Sequence, residues 1–238
     1  MTDARNRWIL AAALFALLVI VLTFPMRLAL TLAGASEAGL SARAVEGSVW
    51  SAKLVDARLG AVPLGTLGAS LSPLALIAGR TELLFERDDK RLGALAGRLH
   101  GSDPRGFSDV NGVTSLSGLG ILPVDTMRFE GATLRFDAAG KCAFAGGRLQ
   151  LSVAAPIAGL DLSRGLSGPL SCAAGRAQAV LASQSGMEQL KLSFNGSGAW
   201  RAEFLIAVDN DPAMAAALAA TGFRAGKGGF RLTTTGRF

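Results

Sequence analysis

An uncharged run of nineteen residues, Trp8 to Met26, constrains this chain more than any other feature. It reads WILAAALFALLVIVLTFPM, and at about 1.5 Å per residue it approaches the ~30 Å thickness of a bilayer's hydrocarbon core. Arg5 and Arg7 precede the run and Arg27 alone follows closely, a bias that favours the N-terminus inside and the rest outside. Trp8 sits where an interfacial aromatic belongs, and Leu17, Val21 and Phe24 are the expected lipid-facing anchor residues with it. The expected layout is a cytoplasmic tail over 1–7, a transmembrane helix and its exit over 8–32, and a domain over 36–238 on the far side.

A cleaved signal peptide competes with this reading, since Ala33-Gly34-Ala35 supplies a small-residue cleavage pattern. Against cleavage, the apolar run exceeds the usual ~7–15 residues and Arg27 interrupts the approach to the site. Either reading sends the remainder to the same compartment. There, Cys142 and Cys172 meet an oxidising environment, and no C-x-x-C or nearby His completes a zinc site. A disulfide between them is favoured over two buried thiols, and closing that loop is worth about 3–4 kcal/mol by chain entropy.

The remaining ~200 residues are enough for one large domain or two small ones with a real core. Half the residues are apolar and only 18% are charged, which excludes a disordered chain. With a single His and no Tyr, there is little material for acid–base or metal chemistry. The net charge of +6 comes from arginines scattered singly, without the interleaved aromatics of a nucleic-acid surface.

Beyond the anchor, short segments alternate apolar and polar with period two. Val55, Ala57 and Leu59 oppose Asp56 and Arg58, and Leu83 and Phe85 oppose Glu82 and Glu86. Leu149, Leu151 and Val153 form another set, as do Leu190, Leu192 and Phe194. The longest stripe runs Trp200, Ala202, Phe204, Ile206, Val208, and Phe230, Leu232 and Thr234 come last. Met127 and Phe129 share one phase while Leu134 and Phe136 share the other, so the slip at Gly131-Ala132 predicts a bulge or a tight hairpin. Turns are expected at Asp88-Asp89-Lys90, Ala139-Gly140, Gly146-Gly147 and Asn195-Gly196, with the charges Glu86–Arg91 forming a solvated turn. Two short helices are expected, Ser72–Gly79 and a run opened by Asn210-Asp211-Pro212 and ended by Gly222. A Gly/Ser/Asp-rich stretch over Gly101–Gly120 is the expected joint between two halves. The fold class is therefore mainly β, an anchored curved antiparallel sheet.

Catalytic patterns do not assemble. His100 beside Gly101 and Asp103 is expected in an exposed loop, and no G-x-S-x-G elbow occurs. Gly222–Lys227 lacks the spacing and the Ser/Thr of a phosphate loop. Asp88-Asp89 and Asp209/Asp211 sit where turns and caps ordinarily place Asp. No catalytic, metal-binding or cofactor-binding residue is assigned, and no small-molecule substrate or nucleic acid is expected.

Four segments together resemble the protein N family of the type II secretion system. They are Gly47-Ser-Val-Trp50-Ser-Ala-Lys-Leu54, Leu67-Gly-Ala-Ser-Leu71-Ser-Pro73-Leu-Ala-Leu76-Ile-Ala-Gly79, Cys142 with Gly168-Pro-Leu-Ser-Cys172, and Gly226-Lys-Gly-Gly229-Phe-Arg-Leu232-Thr-Thr-Thr-Gly236-Arg-Phe238. Leu71 stands where the family more often has Trp. The resemblance implies a single-pass inner-membrane protein that touches other secretion subunits of the inner-membrane platform, with no enzymatic activity and no cofactor. The sheet is also similar to the groove-forming sheets of the AsmA-like group, which suggests the alternative of a module for lipid or another apolar ligand.

Overall fold

The computed structural model describes residues 2–36, 39–60, 62–116, 124–153, 164–207 and 212–237. The expectations on Val208, Asp209, Asn210, Asp211 and Phe238, and on 117–120 of the expected joint, lie outside them. Helix α1 (Thr2–Thr23) stops two residues short of Pro25, which cannot continue the hydrogen-bond ladder and pushes the preceding residue to an extended conformation. Pro25 itself (φ −68°, ψ 132°) bridges to Ser48 and opens a separate helix, α2 (Met26–Leu32). The apolar run is thus divided. Its last residue, Met26, is buried in the protein.

All the strands belong to one antiparallel sheet, laid down as a meander. It begins with β1 (Leu40–Ser41), β2 (Ala44–Ser48), β3 (Ser51–Leu59) and β4 (Val62–Leu71). Helix α3 (Pro73–Ile77) intervenes before β5 (Glu82–Asp89), β6 (Gly93–His100), β7 (Arg105–Ser115), β8 (Val124–Phe136) and β9 (Cys142–Val153). There follow β10 (Leu166–Ala173), β11 (Arg176–Ala182), β12 (Glu188–Phe194), β13 (Ala199–Ile206), helix α4 (Pro212–Ala220), β14 (Arg224–Gly226) and β15 (Gly229–Arg237). From β3 to β12 every strand pairs with both of its chain neighbours; β1 and β2 both pair with β3, β13 pairs with β12 and β15, and β15 lies between β13 and β14. The stretch expected to join two halves holds β7, which pairs with both β6 and β8.

The sheet curls tightly. Strands β8 and β12 are four steps apart and would stand ~19 Å from each other if the sheet were flat. Instead the rings of Phe136 and Phe194 on those strands have centroids 6.5 Å apart. Likewise, carbonyls from β4 and β7 share one guanidinium, that of Arg87. The curl encloses the larger core, including Leu95, Val110, Ala132, Leu149, Leu151, Leu181, Leu190, Phe204 and Ile206, with Leu218 of α4 and Phe223 in the same cluster. A second cluster lies at the anchor end, where Met26, Val49, Leu54, Ala57 and Leu67 pack with Phe24, Leu30 and Trp50.

Local chemistry explains where alternation breaks. In β3, Ala52 and Leu54 are buried and then Ala57, so a bulge at Val55-Asp56 shifts the phase and leaves Val55 only half-buried; Leu59, in phase with Ala57, is exposed at the end of the strand rather than inward as expected. The slip in β8 is a bulge within one strand: Gly131 takes φ +58° and Ala132 is fully buried. Its partner position is Gly147, at φ +87°, whose added Cβ would stand 2.4 Å from the Gly131 carbonyl oxygen. Gly146-Gly147 is therefore not the expected turn but the interior of β9, a close backbone approach that only glycine permits.

The charged segment Glu86–Arg91 also departs from expectation. Residues through Asp89 continue β5, and the turn falls at 90–92. Asp89 Oδ1 accepts from the N–H groups of Leu92 (3.0 Å) and Arg91 (2.7 Å), which holds its carboxyl below the usual range. Arg87 is not solvated at all. It is 3% exposed, with Nε donating to Gly93 O (3.0 Å), one terminal nitrogen to Leu64 O (2.6 Å), and the other to Leu92 O (3.0 Å) and Val113 O. Burial lowers its pKa, and Asp89 opposes that. Helices α3 and α4 form at both expected sites: Ser72 Oγ accepts from Ala75 N (3.3 Å) with Pro73 in the first turn, and Gly222 follows α4 at φ +91°.

Candidate functional site at the anchor junction and the open edge

Between Asn6 and Thr23 helix α1 is long and apolar enough to span a membrane, and none of it is buried against the protein. Trp8, Leu17 and Val21 are exposed on it, whereas Phe24 is half-buried against the anchor-end cluster. The last carbonyls of any helix lack partners within it, and here the β2–β3 turn gives a donor to one of them and another to the carbonyl of the residue that follows the helix. Trp50 Nε1 donates to Val21 O at 2.9 Å, and Val49 N donates to Phe24 O at 2.9 Å. With Pro25 bridged to Ser48 and Met26 buried, the apolar helix is fastened to the sheet rather than tethered by a loose linker. In the sequence Trp50 stands out only within the motif Gly47–Leu54. Its role lies 29 positions from its partner, beyond any periodicity signal.

The two edges of the sheet differ. At the anchor end α2 packs Ala29 and Leu30 onto the cluster beside β2. At the other end β14 pairs only with Gly229–Arg231 of β15. Gly226 and Gly229 close a two-residue loop, so their backbones face each other, and period two turns the N–H groups of Thr233 and Thr235 away from β13. Among the described residues no strand covers β15 beyond Arg231.

Cys142, first residue of β9, and Cys172 in β10 form a disulfide with Cα atoms 5.7 Å apart. Cys142 N also donates to Gly175 O at 2.8 Å, so the bridge and the backbone together hold the β8–β9 turn against the β10–β11 turn.

His100 does not lie in an exposed loop. It ends β6, mostly buried, with Nε2 2.8 Å from Ser108 Oγ and 3.0 Å from an Arg135 nitrogen. Nδ1 is 4.0 Å from Glu82, and Arg98 and Asp109 complete the cluster. Burial first, then the Arg135 charge, lowers the imidazole pKa. Ser, His and Glu in a row invite comparison with a hydrolase triad, but the geometry does not act as one. Arg135 occupies the same Nε2 that a nucleophilic serine needs, the carboxylate is beyond hydrogen-bond range, and Ser108 is only 5% exposed. Among the described residues, no group of three or more His, Cys, Asp or Glu could hold a metal ion. The apolar stripe at Ala202, Phe204 and Ile206 is buried, and the Phe204 and Phe223 rings meet edge-on at 5.8 Å, so these side chains are core.

The model of type II secretion system protein N matches residues 38–233. No curated protein and no solved structure matches the chain significantly. The match begins after the apolar helix and runs through β15 almost to its end, covering most of the sheet described above; the chain belongs to the type II secretion system protein N family.

Proposed function

We propose that this chain is an inner-membrane docking scaffold of the type II secretion machinery, with its N-terminus cytoplasmic and its sheet periplasmic, receiving a strand from a partner subunit along β15. Family membership supports a role as a secretion component without enzymatic activity. The observation that carries the docking mode is the asymmetry of the sheet: helix α2 packs beside β2 at one end, and at the other the side of Thr233–Arg237 facing away from β13 carries no strand among the described residues. An open edge is a template for another strand, and backbone pairing supplies affinity without special side chains. The fixed junction at Trp50 and Pro25 sets where that edge stands relative to the bilayer.

Thr235→Pro tests the mode, because it removes an outward N–H while leaving the β13 pairing in place. Capture of secretion subunits by the full-length chain from detergent-solubilised membranes is expected to fall about tenfold, the equivalent of one or two edge hydrogen bonds. The melting midpoint is expected to stay within a few degrees. Unchanged capture by a folded variant rules out β15 as the docking strand.

A further inference from the structure

Helix α3 has an apolar face that the fold does not use. Leu74 is 78% exposed and Ile77 85%, three positions apart and so on one side, with Leu76 partly exposed beside them. Ala75, on the other side, is buried. The helix is not a frayed loop: Ser72 caps it, Arg80 N returns to Ala75 O at 2.8 Å, and Ser72 N bonds Glu82 O at 2.9 Å. Something built holds three large apolar side chains outward.

Its position says what covers them. Val49 N donates to Phe24 O, the carbonyl just past α1, and Leu71 N donates to Val49 O at 2.7 Å. Leu71 immediately precedes the Ser72 cap, so α3 starts at the same end of the sheet as the exit of the span. The turns Gly60 and Lys90–Leu92 lie at the opposite ends of these strands. Charge agrees: Arg27 in α2 and Arg80 just after α3 are exposed, and residues 72–81 contain no acid. Apolar side chains flanked by arginines are what an anionic bilayer surface accepts.

We infer that α3 is a second membrane contact, a foot that dips Leu74, Leu76 and Ile77 into the headgroup–acyl boundary of the leaflet where α1 leaves the bilayer. This rests on the reading of α1 as a membrane span. One helix fixes the distance of the sheet from the membrane but leaves it free to turn about the helix axis. A second contact beside it removes that rotation and sets which way β15 faces.

With Cys142 and Cys172 joined, an introduced cysteine is the only free thiol in the chain. The full chain is labelled with nitrobenzoxadiazole at Ile77→Cys, at Leu17→Cys in α1, or at Lys90→Cys at the opposite end. It is then reconstituted in phosphatidylcholine–phosphatidylglycerol vesicles carrying doxyl-labelled lipid. The label at 77 is expected to be quenched several-fold more than at 90, with a blue-shifted emission like that at 17. Quenching at 17 with 77 matching 90 overturns the foot and leaves the span intact. No quenching at either 17 or 77 overturns both. Quenching at 77 without 17 removes the span and keeps the lipid contact.

Discussion

At the scale of single residues, two polar side chains do what apolar ones cannot. Arg87 closes the inside of the curl by giving hydrogen bonds to carbonyls of Leu64, Leu92, Gly93 and Val113, groups that a tight curl strips of water. Nothing local signals this, because its partners are up to 26 positions away and a basic residue amid Asp and Lys ordinarily faces solvent. His100 faces Glu82, Arg98, Ser108, Asp109 and Arg135, and its lowered pKa gives a sign to the pH dependence. In the unfolded chain the imidazole takes a proton near 6.5, while the folded chain resists it to lower pH. The contribution to stability is present above that value and is lost as pH falls toward the lower folded pKa. The urea midpoint is therefore expected to drop between about pH 7.5 and pH 5.5 by more in the parent than in His100→Gln. Equal slopes for the two proteins reject His100 as the source.

At the scale of elements, alternation made most strands readable, since each has one face on the core and one in water. Trp200–Ile206 and Leu190–Phe194 occupy the strands their patterns predict. The failures cluster at bulges. Val55-Asp56 shifts the phase of β3 with no glycine to announce it, because Asp tolerates the positive φ of 50° that it adopts there. Gly146-Gly147 resembles a turn but serves a bulge on the neighbouring strand, a demand that comes from β8 and not from its own segment. The cysteine pair was legible because the expected compartment and the count point the same way. Its removal by Cys142→Ser with Cys172→Ser is expected to cost about 3–4 kcal/mol, read from denaturant midpoints with an unchanged far-ultraviolet spectrum. A loss below about 1 kcal/mol assigns the bridge no part in stability.

At the scale of the whole molecule, the long apolar helix ahead of the sheet was legible from one apolar run, but the joint between them was not. Pro25 splits that run so that Met26 serves the protein core, and Trp50 fastens the two parts from a turn far along the chain. Orientation is the property most exposed to test. Alkaline phosphatase fused after Phe238 is expected to be active and a green fluorescent protein fused there dark; the reverse places the sheet in the cytoplasm. The neighbour-to-neighbour pairing from β3 to β13 bears on how such a body assembles. Each new strand finds its partner in the segment that emerged just before it, so loop-closure entropy stays small and no segment waits exposed for a distant mate. A sheet of this order can grow incrementally from the clasped end while the rest of the chain is still arriving, and the Cys142–Cys172 bond then locks the advance midway.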